Sequence, residues 1–152
     1  MKQLNTLKYA TNNLELDILI DYEKETAWLT TDQMSELFDV NKSAIVKHIS
    51  NIYKDNELEI SSTVSKMETV GLEGERYITR KINYYNLDMI ISIGYRVNSK
   101  RGILFRKWAS KILKEYLVDG FAVNKEIFES YRRKIRNLVK MIKTLNLLNI
   151  EC

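Results

Sequence analysis

The chain has 152 residues, 45% of them hydrophobic, which is enough to bury a core as one domain with or without an appendage. It has no proline, and its single cysteine, Cys152, excludes an internal disulfide framework and predicts a cytoplasmic location. No stretch is apolar enough to span a membrane, and Met1 to Lys8 lacks the apolar region of a signal peptide.

The charged residues are distributed unevenly along the chain. Residues 1–75 contain 7 Lys or Arg against 14 Asp or Glu, a net charge of −7, whereas residues 76–152 contain 17 against 6, a net charge of +11. A basic half of this kind is typical of proteins that bind a polyanion. A solvated helical surface would give the same counts, so charge alone leaves both interpretations open.

The first elements are predicted to be strands. Apolar and acidic residues alternate from Leu14 to Ile20, which is the period of a half-buried strand. A polar turn over residues 21–25 then leads into a second short strand, Thr26 to Thr30, so a β-hairpin is expected. The acidic residues here have no spacing typical of a metal site, and we expect them to solvate the outer face.

Two short helices joined by a tight turn are predicted within residues 28–54. The second has a buried face formed by three isoleucines at helical spacing: Ile45, Ile49 and Ile52. Candidate capping residues are Thr30 or Thr31 for the first helix and Asn41 or Ser43 for the second. Two helices that meet across a turn of three or four residues form the helix-turn-helix of DNA-binding proteins. Two ordinary packed helices are the alternative.

In a helix-turn-helix, the start of the second helix and its next turn enter the major groove. Lysines there bind phosphate or guanine, asparagines bind adenine or backbone, and a valine contacts a thymine methyl group. The candidate residues are Asn41, Lys42, Ser43, Ala44, Val46, Lys47, Ser50 and Asn51. Two positions depart from the usual pattern, since Asp39 stands where glycine is favoured and His48 where an aliphatic residue is common. We expect His48 to be partly buried.

A second hairpin is predicted downstream, where two β-rich runs, Ser62 to Val70 and Arg76 to Tyr84, flank a loop that contains glycine. It could act as a wing whose basic residues reach phosphates. Alternatively, it is a plain hairpin that closes the sheet begun at Leu14. The loop favours the second interpretation, because Glu73 and Glu75 would repel DNA.

Two helices are predicted next. Asn86 caps a short apolar helix that ends near Gly94, and Ser99 caps a longer helix from Lys100 to Val118. A basic ridge on the longer helix, with two arginines at its start, is the candidate for phosphate contacts that do not depend on sequence. Its proposed contact residues are Arg96, Lys100, Arg101, Lys107 and Lys111, with Lys114 on the same face. A solvated lysine face is the alternative.

The end of the chain is predicted to be one long amphipathic helix, from Asn124 to about Leu148. Its apolar residues step by three and four, close to a heptad seam: Phe128, Tyr131, Ile135, Leu138, Ile142 and Leu145. Such a helix can form a homodimer through residues 125–148 or fold back on its own domain. We therefore divide the chain into a DNA-binding domain, residues 1–122, and a helical tail, residues 123–152.

Several of these stretches resemble the RhuM family of bacterial proteins, which are described as virulence-associated or DNA-binding. The resemblance rests on Thr26–Phe38, Ile49–Lys54, Tyr84–Gly102 above all, and Phe105–Leu117. The last block is also similar to the closing helix of Bro-N-type DNA-binding domains of phages and viruses. The resemblance covers roughly residues 14–124 and implies DNA binding in a mobile-element or phage-like setting. Relatives usually continue further and Ile127–Cys152 departs from their pattern, which predicts a short or truncated form.

The predicted fold class is α+β: an N-terminal β-hairpin, a winged-helix-like helix-turn-helix with a second hairpin, two helices and a C-terminal amphipathic helix. The predicted function is that of a transcriptional regulator that binds double-stranded DNA without a cofactor. The alternative is a protein-interaction module, antitoxin-like or accessory, that uses the helical tail. An enzyme is not expected, because His48 and Cys152 form no nucleophile–base set, no glycine-rich phosphate loop is present, and a His-Pro motif needs a proline.

Overall fold

The computed structural model describes residues 4–11 and 14–150, which belong to two compact units, Met1–Trp108 and Ala109–Cys152. The division falls inside a helix. The sequence predicted a domain boundary after residue 122. That boundary separates parts that are expected to fold independently, and it stays a prediction. Within the described residues, no helix is both long and apolar enough to cross a membrane.

The first sheet has three antiparallel strands in the order β1-β2-β3: β1 is Leu4–Thr11, β2 is Leu14–Asp21 and β3 is Thr26–Trp28. The predicted hairpin of β2 and β3 is confirmed, with Leu19 opposite Trp28. Strand β1 was not predicted, because its apolar residues do not alternate with polar ones. In the structure, it is identified by its pairing with β2 along its whole length. The Asp21 carboxylate holds the turn by accepting from the Lys24 backbone N–H at 3.1 Å.

The two helices of the predicted helix-turn-helix are α1, Thr31–Phe38, and α2, Lys42–Lys54. Thr30 is the cap of α1: its hydroxyl accepts from the Gln33 N–H at 3.1 Å, and the Gln33 side chain accepts from the Thr30 N–H at 3.0 Å. Three residues, 39–41, separate the helices, so the predicted tight turn is confirmed.

A single turn of helix, α3 (Ile60–Thr63), leads into the second hairpin, formed by β4 (Val64–Glu73) and β5 (Arg76–Tyr85). This hairpin is a separate two-stranded sheet and does not close the sheet begun at Leu14. It is tied to the start of α1 by an antiparallel bridge, in which Leu29 and Tyr85 exchange backbone hydrogen bonds of 3.0 and 2.8 Å. The order of bridge residue, two helices and hairpin is winged-helix-like, as predicted.

Three longer helices follow: α4 is Leu87–Gly94, α5 is Lys100–Lys114 and α6 is Lys125–Ile150. The predicted caps of α4 and α5 are confirmed, since Asn86 accepts from the Met89 N–H at 3.1 Å and Ser99 from the Gly102 N–H at 3.0 Å. Helix α5 continues into a π-helical turn, Glu115–Asp119, which ends at Gly120 with φ 81°. A left-handed residue at this place is most easily supplied by glycine.

The core of the first unit joins the helix-turn-helix to α4. Its buried residues come from the bridge, from α1, α2 and α4, and from the loop after α4: Leu29, Met34, Phe38, Ile45, Ile49, Ile52, Tyr85, Met89, Ile90, Ile93 and Val97. Phe105 of α5 packs edge-on against Phe38, with ring centroids 5.4 Å apart. Helix α4 therefore supports α1 and α2 from behind and leaves one face of α2 uncovered.

Candidate nucleic-acid interface

The exposed face of α2 is the surface with the geometry of a recognition helix. Ile45, Ile49 and Ile52 are buried in the core, as predicted. Residues on the opposite side are exposed and share one face by the helical period: Ser43, Val46, Lys47 and Ser50. The apolar Val46 is 50% exposed in the middle of this polar face. The structure therefore presents a polar, basic surface with one aliphatic contact point.

Two candidate residues lie at the start of α2. Asn41 occupies the N-cap position and is exposed, and within the described part of the chain its side chain makes no capping hydrogen bond. Lys42 forms an ion pair with Asp32 of α1, with Nζ 3.0 Å from Oδ1 and both side chains more than half exposed. Exposed pairs of this kind contribute only about 0–1 kcal/mol, so Lys42 can exchange this partner for another at little cost.

The other two candidates on α2, Ala44 and Asn51, are half-buried. They lie at the edge of the exposed face, between it and the isoleucine stripe. Six of the eight predicted residues are therefore exposed, four on one face of α2 and two at its start, and the other two lie at the border of that face.

The turn between α1 and α2 explains the departure at Asp39. Its φ of 52° and ψ of 53° place it in the left-handed region, which is where glycine is favoured. Aspartate is one of the few other residues that enter this region readily. The Val40 N–H donates to the Ser35 carbonyl at 3.2 Å, and the Ser35 hydroxyl donates back to the Val40 carbonyl. The turn therefore has the geometry expected of a helix-turn-helix, with aspartate at the position where glycine is favoured.

His48 is half-buried on α2, as expected from its place beside the isoleucine stripe. Burial lowers the pKa of its imidazole, and the nearby cations Arg96 and Lys47 lower this pKa further. The ring is therefore held in its neutral form at neutral pH, behind the exposed face of the helix.

Arg96, which was predicted to contact phosphate, is engaged by carboxylates. Its Nη2 atom lies 2.7 Å from Glu57 and 3.2 Å from Asp55. These two hydrogen-bonded carboxylates raise the pKa of the guanidinium above its usual value. The contact joins the loop after α4 to the C-terminal end of α2, so Arg96 orients the helix and its charge is largely compensated.

Arg101 also has a partner within the protein. Its guanidinium donates to the Glu36 carbonyl, and the neighbouring Ser99 hydroxyl donates to the Phe38 carbonyl at 2.6 Å. Both carbonyls belong to the last turn of α1, where a cation and added donors are favourable because they satisfy the free end of the helix. Arg101 therefore fixes the start of α5 to α1.

The lysines of α5 are exposed. Lys100 and Lys107 belong to the first unit, whereas Lys111 and Lys114 belong to the second. Within the first unit, Lys100 and Lys107 share one face of α5 by the helical period. Lys54 was not predicted, although it lies on the exposed face of α2 two turns beyond Lys47. Extending the helical period to the end of α2 would have identified it.

The second hairpin carries balanced charge. Glu73 forms an ion pair with Arg80, and Glu68 stands opposite Lys81 in the strand register. Two apolar residues near its tip are exposed, Leu72 and its cross-strand neighbour Tyr77. Acidic residues therefore neutralise much of the basic charge of the hairpin. Among the described residues, no group of three or more His, Cys, Asp or Glu is placed to hold a metal ion.

A helix-turn-helix joined to a two-stranded hairpin through the Leu29–Tyr85 bridge defines a winged-helix-like protein. The sequence pattern of the Virulence protein RhuM family matches residues 62–144, and the chain belongs to this family. No curated protein and no solved structure matches the chain.

The extent of the family match differs from the expectation. It begins at residue 62, so α1 and α2 precede it, and it reaches residue 144, so most of α6 lies within the family pattern. The expected departure from Ile127 onwards is therefore not seen over residues 127–144. The case for α2 as a recognition helix rests on its geometry.

Proposed function

We propose that the protein binds double-stranded DNA with α2 in the major groove and acts as a transcriptional regulator in a mobile-element or phage-like locus. One observation carries this proposal: a three-residue turn presents α2 with its isoleucine face in the core and its polar, basic face uncovered. A helix about 10–12 Å across with its side chains matches the width of the major groove, about 12 Å.

The proposed division of roles follows from the chemistry of each side chain. Asn41 has free amide donors and acceptors, which suit an adenine edge, and Val46 suits a thymine methyl group. Lys47 reaches a guanine or a phosphate, and Lys54 lies further along the same face, where the DNA backbone rises beside the groove. Ser43 and Ser50 are small hydroxyl residues that allow close approach.

Sequence-independent attraction is assigned to the exposed lysines of α5, Lys100 and Lys107 in the first unit. Arg96 and Arg101 are assigned a positioning role, because their guanidinium groups already bind carboxylates and helix-end carbonyls. The proposed activity is binding without catalysis, in the cytoplasm of a bacterial cell, where such a regulator meets its DNA.

The proposal is tested by fluorescence anisotropy with labelled random-sequence duplex DNA over a range of salt concentrations. The logarithm of the affinity is expected to fall linearly with the logarithm of the salt concentration. Lys47→Ala is expected to lower the affinity and to reduce this slope by about 0.9, because one phosphate contact is lost. Lys24→Ala is the matched control, since Lys24 is an exposed lysine of the β2–β3 turn. If Lys47→Ala and Lys24→Ala bound DNA with equal affinity, the proposed placement of α2 in the major groove would be wrong.

A protein-interaction module is the second candidate, and α6 favours it. In this helix, every residue from Lys125 to Asn146 is exposed, including its apolar face. A surface of that kind is typical of a site that binds another chain. A chain that loses self- or partner association on removal of residues 125–152 and shows no salt-dependent DNA binding would favour this function over the first.

A further inference from the structure

Helix α6 carries a heptad seam with a specific composition. With Phe128 assigned to position a, the a positions that follow are Ile135 and Ile142, and the d positions are Tyr131, Leu138 and Leu145. Isoleucine at a with leucine at d is the combination that favours two parallel strands, because each side chain fits the packing geometry of its own layer. The seam has the chemistry of a dimer interface.

These side chains have no cover within the described part of the second unit. The six seam residues are each 49–60% exposed along a continuous helix, from Phe128 to Leu145. An amphipathic helix gains most of its stability by burying its apolar face. An uncovered seam of this length is therefore a surface available to bind another helix. Covering it on two helices would bury roughly 1,200 Å², at about 100 Å² for each seam residue, which is the lower limit of a specific interface.

The charges of α6 permit a second copy as the partner. Most basic residues occupy the outer positions b and f, which point away from a paired helix: Arg133, Arg136, Lys140 and Lys143. The positions that flank the central seam are apolar, with Val139 at e and Met141 at g. In a parallel pair, the g residue faces the e residue of the following heptad of the other chain, so Lys134 faces Val139. No two basic residues oppose each other across the described seam.

Two basic side chains of the first heptad contact its aromatic rings. The Arg132 guanidinium lies over the Phe128 ring at 5.8 Å, and the Lys134 ammonium lies over the Tyr131 ring at 5.5 Å. These contacts hold the two basic groups beside the aromatic rings, at the edges of the seam. The aliphatic part, from Ile135 to Leu145, is therefore the centre of the contact.

We infer that α6 pairs with α6 of a second copy of this chain as a parallel, in-register, two-stranded coiled coil centred on Leu138. The parallel arrangement brings the two preceding parts of the chain to the same end of the coil. This inference is independent of DNA binding, and it would supply two α2 helices to one DNA duplex if the proposed function holds.

Self-association is tested by light scattering coupled to size exclusion at about 100 μM of the full chain, without DNA. Twice the monomer mass is expected, and Leu138→Glu is expected to weaken the dimer more than tenfold. Asn137→Glu is the matched control, because the same charge then stands one residue away at the outward-facing position c. Circular dichroism verifies that both variants keep their helices. A monomeric parent chain, or equal effects of the two variants, would overturn the inference.

Orientation is tested by disulfide formation in a Cys152→Ser background. In a parallel dimer, Tyr131→Cys places two thiols at the same d layer, and oxidised glutathione converts them to one disulfide while it is reduced to two glutathione thiols. In an antiparallel dimer, Tyr131 instead lies opposite Ile142, and the two substituted positions are offset by about 16 Å, beyond the roughly 7 Å limit for a bridge. A cross-link only in a mixture of the Tyr131→Cys and Ile142→Cys chains would establish the antiparallel arrangement and overturn the parallel one.

Discussion

The left-handed conformation of Asp39 predicts how substitutions in the turn between α1 and α2 change the stability of the protein. The exposed face of α2 depends on this turn. The φ of 52° at Asp39 would cost about 1–2 kcal/mol for an ordinary residue, less for aspartate, and little for glycine. Asp39→Gly removes the remaining backbone strain, but the added conformational entropy of the unfolded chain offsets this by about 0.4–1 kcal/mol. The Asp39→Gly variant should therefore be as stable as the parent chain. Asp39→Val places a β-branched residue in this region and should be less stable than Asp39→Gly by about 1–2 kcal/mol.

The measurement is urea unfolding followed by tryptophan fluorescence, which reports on Trp28 because this residue is buried and Trp108 is 60% exposed. Glu36→Val is the control, since the Glu36 side chain is exposed in the last turn of α1, where a valine costs only a few tenths of a kcal/mol. In thermal unfolding, the Asp39→Val variant should melt about 3–6 °C below the Asp39→Gly variant. If Asp39→Val were as stable as Asp39→Gly, the conformation assigned to this turn would be refuted.

Three further predictions follow from contacts in the first unit. Gly94→Ala should destabilise it by about 1–3 kcal/mol in urea unfolding, because the added Cβ would meet the Phe105 ring, and a Phe105→Leu background should reduce that loss. The pKa of His48 is lower in the folded chain than its unfolded value of 6.5, so the neutral imidazole stabilises the fold above pH 6.5, and this stabilisation is lost as the pH falls through the folded-state pKa. His48→Gln should therefore flatten the fall in stability between pH 7 and 5. An unchanged stability profile would contradict this. Arg96→Ala should lower stability only slightly, because both of its carboxylate partners are exposed, and it should reduce DNA affinity less than Lys47→Ala does. A larger loss of affinity would make Arg96 a DNA contact.

Much of the fold was predictable because its signals are local. The caps Thr30, Asn86 and Ser99 each act on an N–H three residues ahead, so a polar residue before an apolar helical pattern identifies them. The same holds for α2, where the helical period separates the buried isoleucines from the exposed residues. Strand β1 was not predictable in this way, since its sequence has no alternation and its pairing partner supplies the evidence.

The candidate site was predictable on α2 and less so elsewhere. Lys47 and Ser50 were assigned by helical position and are exposed as expected. Arg96 was counted as a free cation because the sequence shows its charge and not its partners. Asp55, one of its two carboxylate partners, precedes it by 41 residues, and no periodicity relates them. Charge counts therefore overestimated the basic residues that are free to meet DNA.

The sequence by itself determined the α+β class, the two helices and their turn, the second hairpin and the heptad seam of α6, because each depends on residues a few positions apart. Only the tertiary structure decided that Leu29 pairs with Tyr85, which makes the hairpin a wing separate from the first sheet. It also decided that Arg101 binds the end of α1, 65 residues away in the chain. Such contacts depend on how the buried faces of α1, α2 and α4 pack together, and packing brings together residues that no local pattern connects.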